Sequence, residues 1–484
     1  MGPSPTIAAP HPGSIDPMHQ DGLPPLRRRL AFGTIAMALF VAVLDGTVAN
    51  VALPPITQDL GVSPVEAIWV VNGYQLAVTV LLLPLARLGE ILGYRRVYLT
   101  GLGIFTLASL VCALSRSLDM LIAARVLQGI GAAGIMSVNI ALVRFIFPAS
   151  RLGRAVGRVA IVVGVSSAAG PSLAGAILSV ASWPALFLIN VPVGLLALLA
   201  GSRTLPDTPK SGQAFDLKSA VMSALTFGML ISGVNGIGHS EGLVLSLALI
   251  AGGLIVGTVF VRKQLKIAEP ILPVDLLRRP IFALSAATSV CSFGAQGIAF
   301  VSLPFLLHDQ LGRSPAETGL LLTPWPIATA IAAAISGRLA DRFNPGRLSA
   351  IGLVLFSAGL LALVLVPSTP GDADLVWRLA LAGFGFGLFQ TPNNKILITS
   401  APRERSGGAS GIQSTARLVG QSLGVALVAV MFGLVPSHPL TSALLLAAAL
   451  AAAGIVPSLL RRYEAPKTAP SAKTLHAEET AAGG

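Results

Sequence analysis

Charge is scarce in this chain. Lys, Arg, Asp and Glu make up 11% of its 484 residues, against about 25% in soluble domains, which excludes a large soluble core. Cysteine is nearly absent: Cys112 and Cys291 both fall in apolar stretches, so packing is their expected role, and neither a disulfide framework nor a metal site. The six histidines, His11, His19, His239, His308, His438 and His476, lie in tails or loops without metal-ligand spacing. No Gly-x4-Gly-Lys-Ser/Thr run cradles a phosphate, and no soluble segment has the length of a catalytic domain. The expectation is a protein that is not an enzyme, with no cofactor and no metal.

Long apolar runs are abundant instead, with 54% hydrophobic residues and a mean hydropathy of +0.78. No Lys or Arg occurs between Arg29 and Arg87, and about 20 apolar residues cross a bilayer. Spans are predicted at 30–56, 66–86, 97–115, 118–142, 155–179, 185–202, 217–237, 242–261, 281–306, 317–337, 348–367, 376–397, 408–434 and 439–460. The expected class is an all-α polytopic membrane protein of fourteen transmembrane helices. Residues 1–26 and 463–484 read as disordered tails, 27–202 as a six-helix bundle, 203–280 as two additional spans with linkers, and 281–462 as a second six-helix bundle.

The net charge of +12 would point to nucleic acid in a soluble protein; here it fits loop charge. With both termini inside, 29 of the 33 Lys and Arg fall in the tails, every second loop and their flanking turns, as the positive-inside rule requires. Miscounting one span would spoil that pattern. Arg417 is assigned to the inner end of its span, where it would snorkel.

A repeat with an offset of 254 runs through the chain. Gly129, Gly131, Pro148, Arg151, Gly153, Gly157 and Gly170 fall on Gly383, Gly385, Pro402, Arg405, Gly407, Gly411 and Gly424. A basic, glycine-containing loop occurs twice, at 87–96 and 337–347. Both copies lie inside, so the two halves share one topology. Spans 7 and 8 have no counterpart.

Asp45 is the only acid deep within a span. Burying it costs about 2.5–3.5 kcal/mol on insertion scales. At 1.5 Å per residue it lies ~22 Å from the inner edge. Arg125, in span 4, lies ~20 Å from that edge in a ~30 Å core. Pairing would offset the burial of both. Removal from water favours the neutral acid and the guanidinium favours the carboxylate, so movement between conformations would tip Asp45 between holding and releasing a proton. A static ion pair fastening spans 1 and 4 is the alternative.

The sequence around these residues, Leu44-Asp45-Gly46-Thr47-Val48-Ala49-Asn50-Val51-Ala52-Leu53-Pro54, resembles the first-span signature of the fourteen-span drug:proton antiporter branch of the major facilitator superfamily. Arg125-Val126-Leu127-Gln128-Gly129-Ile130-Gly131 is similar to a second family motif, and Gly164 with Gly170-Pro171-Ser172-Leu173-Ala174-Gly175 to its antiporter motif. Trp183 and Phe187-Leu188-Ile189-Asn190-Val191-Pro192-Val193-Gly194 complete the pattern. The loop at Gly89 departs from the family's loop motif, with Ala86, Glu90 and Ile91 at three of its positions. The second copy keeps Gly337, Asp341 and Arg342.

The resemblance implies a proton-coupled exporter of amphipathic, cationic drugs or toxic compounds in the inner membrane. It leaves as alternatives an exporter of a specific metabolite (amino acid, sugar or siderophore) and a sensor with the same fold. Its partners would be a small-molecule substrate, protons and the lipid bilayer, with no nucleic acid. The chain would act as a monomer, and a periplasmic adaptor stays open. Gly164, Gly170, Pro171 and Gly175 would gate the interface between halves. Gly89, Glu90, Gly93, Arg95, Arg96, Asp341 and Arg342 would form inner latches, Glu90 facing a helix N-terminus of the other half. Asn50, Trp69, Asn72, Tyr74, Gln75, Gln128, Gln296, Trp325, Gln390, Asn393, Asn394 and Gln413 would line the substrate cavity, with Gln421 as a further polar residue of span 13. Trp69 and Trp325 would offer aromatic faces to a cation.

Overall fold

A computed structural model describes residues 22–210, 215–237, 242–267, 270, 272, 274–340, 342–400 and 406–461. The predicted tails lie outside these residues except for 22–26, of which Pro25 and Leu26 already belong to the first helix. Asp341 and the repeat residues Pro402 and Arg405 also lie outside them.

Each predicted span is helical. The elements are α1 (Pro25–Leu60), α2 (Pro64–Leu92), α3 (Tyr94–Ala113), α4 (Leu118–Ile146), α5 (Leu152–Leu178), α6 (Pro184–Thr204, interrupted at Ile189), α7 (Leu217–Gly236) and α8 (Leu243–Gln264). They continue as α9 (Pro280–Gln310), α10 (Pro315–Leu339, interrupted at Thr323), α11 (Pro345–Val364), α12 (Asp372–Thr399), α13 (Ser406–Leu434) and α14 (Pro439–Leu460, interrupted at Gly454). Among the described residues, 13 helices are long and apolar enough to cross a membrane. One of the fourteen expected spans falls outside that count: α12 is 28 residues long but carries Arg378, Gln390, Asn393, Asn394 and Lys395, which lower its hydropathy.

The repeat is deeper in the fold than a single offset reveals. Ser63 caps α2 reciprocally with Glu66: the Glu66 amide donates to the hydroxyl, and the Ser63 amide to the Glu66 carboxylate at 2.9 Å. Ser314 and Glu317 do the same at α10. These pairs are 251 residues apart, not 254. The loop 114–117 in one half and its counterpart 365–371 in the other absorb the difference of three.

Glycine then sets the same helix crossing twice. A Cβ on Gly131 would overlap the backbone of Phe105 and Gly101, drawing α4 onto α3; one on Gly385 would overlap Phe356 and Gly352, drawing α12 onto α11. Gly129 sits against the Tyr74 carbonyl of α2, and Gly383 against the Trp325 carbonyl of α10. Close backbone approach replaces the missing hydrophobic drive inside a membrane.

Between the halves, α5 meets α10 and α2 meets α13. The α5–α10 contact lies where α5 ends and α10 begins, with Gly175 against Ala316, Gly319 against the Pro171 carbonyl, and the Ser172 and Thr323 hydroxyls bonded. On the same side, Gln58 of α1 bonds His308 of α9 at 3.1 Å. Helix α7 packs on both α2 and α13, and α8 packs on α7. The two additional helices therefore cover the α2–α13 seam from outside. α8 exposes Val244, Leu245, Leu254 and Ile255, as a lipid-facing helix would.

Candidate functional site

Asp45 stands at the middle of α1 and is 2% exposed. Its Oδ2 is ion-paired with Nη1 of the fully buried Arg125 on α4. Its Oδ1 accepts from Gln128 Nε2 at 2.8 Å and from Asn190 Nδ2 of α6 at 2.8 Å. Gln128 is held in turn: Nε2 donates to Ser109 Oγ of α3 at 2.9 Å, and Oε1 accepts from Arg125 Nη1 at 2.6 Å and from Cys112 Sγ at 3.6 Å. Arg125 Nε donates to the Val70 carbonyl at 2.9 Å. Its guanidinium lies 4.3 Å from the Tyr74 ring centroid and 5.5 Å from that of Phe187. Arg125 Nη2, without a hydrogen bond, depends on these ring faces.

The spacing explains the assembly. Arg125 and Gln128, three apart, share one face of α4. Gly129 beside them lets α2 approach closely enough for Tyr74 to cover the guanidinium. Every polar partner of Asp45 comes from α4 or α6. The pair is thus sealed inside the first half, not open to the seam between halves. Tyr74 links it to that seam, because the next residue, Gln75, accepts no role in the pair and instead donates to Gln421 of α13 at 3.4 Å.

The other expected cavity residues divide. Gln75, Gln421 and Gln296 form a hydrogen-bonded chain across α2, α13 and α9, the last step 3.2 Å; Thr79 and Ser422 meet beside it at 3.1 Å. Asn72 is fully buried with neither amide atom bonded, and Asn50 bonds its own helix at Gly46. Tyr74 and Gln128 belong to the ion-pair site. Trp325 is 1% exposed and packs edge-on against Phe300 and Phe356; its ring is core and offers no face to a ligand. Asn393 is also core: it donates to Ser289 Oγ at 2.8 Å and accepts from Arg461 Nη1 at 2.6 Å. Trp69, Gln390, Asn394 and Gln413 are half-buried.

The expected latches look elsewhere. Glu90 is ion-paired with Arg87 on its own helix, not with a helix of the other half. Arg95 reaches Asp207 at 2.6 Å and the Ser202 carbonyl, in and just beyond α6. Gly93, at φ 95°, makes the α2–α3 turn, against which Thr208 packs, and Gly89 is pressed on Val138 and Tyr94. Arg96 and Arg342 are exposed. Among the gating residues, Gly170 abuts Thr47 and Gly175 abuts Ala316, whereas Gly164 faces open space, so close packing does not require it.

Asn190 and Ser109 were not assigned to the site from sequence. A polar side chain within an apolar span was the available signal; Asn190 stood inside a quoted motif without a role.

Two repeated sets of long apolar helices, with an ion pair sealed at mid-depth in one of them, define a polytopic membrane transporter. The chain matches the Major Facilitator Superfamily over residues 35–425 and 284–481. It belongs to that family and is a multi-pass membrane protein acting on small molecules. It is 55% identical to "Uncharacterized transporter YebQ" of Escherichia coli (strain K12), over 85% of this chain and 90% of that one. It is 32% identical to the "Tetracenomycin C resistance and export protein" of Streptomyces glaucescens, over 82% of this chain and 74% of that one. The solved structure of an auto-inhibited POT family peptide transporter shares the fold, at a TM-score of 0.68 and 17% identity, covering 92% of this chain and 99% of that one.

Proposed function

We propose that the protein is a proton-coupled secondary transporter that exports amphipathic compounds across the inner membrane. It would belong to the fourteen-span drug:proton antiporter branch, with both termini cytoplasmic and α12 as the polar fourteenth span. One observation carries the coupling: among the described residues, the buried ion pair exists in one half only. At the equivalent crossing in the second half, Leu379 occupies the position of Arg125 and Ala382 that of Gln128, both fully buried, and Trp325 that of Tyr74. An apolar filling holds that crossing together. The scaffold therefore does not need the charges, which favours a transport role over a fastener.

The geometry gives the coupling a physical form. Both Asp45 oxygens are occupied in the charged state. A proton on Asp45 removes the partner of a buried guanidinium, and such a loss costs about 3–5 kcal/mol. The protonated protein is then driven toward an arrangement of α1 and α4 in which Arg125 finds other acceptors. Release of the proton restores the pair. Substrate in the seam next to Tyr74 would favour one arrangement over the other, which couples the two fluxes. The export direction is supported by the relative named for tetracenomycin C export.

The test is dye transport in proteoliposomes under an imposed pH gradient. Asp45→Asn should abolish gradient-driven transport while substrate binding persists. Undiminished transport by that variant removes Asp45 as the coupling group.

A further inference from the structure

Arg417 is an arginine well inside a span, and its surroundings are the reverse of those of the fully buried, fully partnered Arg125. It lies eleven residues into α13, ~16 Å from the helix start at 1.5 Å per residue. Five residues further along, Ser422 bonds Thr79 at the middle of α2, so Arg417 sits only ~8 Å from mid-depth. The snorkelling position expected from sequence is not where it lies.

Its helix fixes where it points. Gln413 and Gln421 stand one turn to either side on the same face, and Gln421 spans Gln75 and Gln296 across the seam. Gly420 and Gly424 press α13 onto α9 at Val290 and Gly294, while Leu418 joins the apolar cluster that holds Tyr74 and Val78 of α2. Arg417 stands on α13 between these contacts and is half-buried, with partial solvent access. Its guanidinium makes no hydrogen bond or ion pair among the described residues. Nor is a carboxylate nearby in sequence depth: apart from Asp45, every Asp or Glu of the fourteen helices lies in a first or last turn.

A guanidinium carries five N–H donors and cannot lose its charge. The described residues leave it only water as an acceptor, and charged groups at such depth mark substrate paths. Its planar fork matches a carboxylate or a similar oxyanion in two parallel bonds.

We infer that Arg417 anchors an anionic group of the transported compound, so that the substrate class is amphipathic acids, not lipophilic cations. The inference rests on the exporter reading above and replaces only the cationic substrate class that the family resemblance implies. An anionic lipid headgroup offers the same oxyanion chemistry, and the experiment separates the two.

Fluorescein and rhodamine 123 share a xanthene frame and differ in charge. Their binding to the full-length protein in neutral detergent is read by fluorescence anisotropy. Wild type should bind fluorescein roughly 10- to 100-fold more tightly, the range of a charge-assisted hydrogen bond. Arg417→Gln should weaken fluorescein by that factor and leave rhodamine 123 unchanged; Arg417→Lys should keep part of the preference. Equal affinities in wild type, or equal losses of both dyes in Arg417→Gln, overturn the inference. So does Arg417-dependent stabilisation by phosphatidylglycerol without fluorescein binding, which assigns the site to lipid. If Arg417→Gln does not fold, the ratios of wild type and Arg417→Lys decide. Transport of both dyes without preference under a pH gradient sinks the anion assignment alone; fluorescein preference without gradient-driven transport sinks the exporter reading alone.

Discussion

Replacing Arg125 with leucine asks whether the ion pair is a fastener or a coupler, because the second half already shows leucine at that position, in Leu379. The single change Arg125→Leu leaves Asp45 buried at 2% exposure with two amide donors, Gln128 and Asn190, and no countercharge. Breaking a buried pair from one side costs about 3–5 kcal/mol, whereas replacing both partners with apolar residues of similar volume is often neutral. Arg125→Leu should therefore unfold at much lower temperature in detergent than the double variant with Asp45→Leu added. The double variant should lie within about 1–2 kcal/mol of wild type, since it still leaves Gln128 and Asn190 without their acceptor. Thermal unfolding of the four members of this cycle gives the interaction energy directly. Additive losses would show that the two side chains do not stabilise each other, against the geometry. A stable double variant that still moves dye up a pH gradient would show that the pair fastens helices and couples nothing.

Further outcomes follow from the packing. Gly385→Val should cost more than about 3 kcal/mol, because even its Cβ overlaps the Phe356 backbone and α11 and α12 must part; unchanged melting would refute the close crossing. Gly319→Val should push α10 off the Pro171 carbonyl and lower the yield of a disulfide between Ser172→Cys and Thr323→Cys, assayed with Cys112 and Cys291 replaced by serine. An undiminished yield would deny that this contact holds the halves together. At the start of α7, burial pulls the Asp216 carboxyl up, but the Ser219 hydroxyl and amide and the Lys263 ammonium hold it down to about 2. Because the folded value is depressed, its contribution is present above the ordinary carboxylate value and is lost as pH falls toward 2. Asp216→Asn keeps an amide oxygen to cap α7 but loses the part-exposed pair with Lys263, so it should cost less than about 1 kcal/mol, and it should remove that acid-range dependence from the unfolding curve.

The helices and their order were legible in the sequence because a bilayer demands long apolar runs, and hydropathy is a local property of each run. Depth along a helix is also local, so the 1.5 Å rise placed Asp45 opposite Arg125 before any coordinates. Direction around the helix axis is not local. It depends on which faces the glycine crossings press together, and it decided that Trp325 fills an aromatic core while Gln75, Gln421 and Gln296 meet across a seam. The three-residue change in repeat offset hid the match of Tyr74 to Trp325 and of the two capping boxes, since the difference falls in a loop that carries no pattern. Glu90 and Arg95 read as latches because charge near a helix end invites a partner, but only the packed chain chose Arg87, Asp207 and Ser202 as those partners. Arg417 shows the limit most plainly. Its position in a span was visible, but an unanswered guanidinium between two halves exists only once α2, α9 and α13 have closed around it.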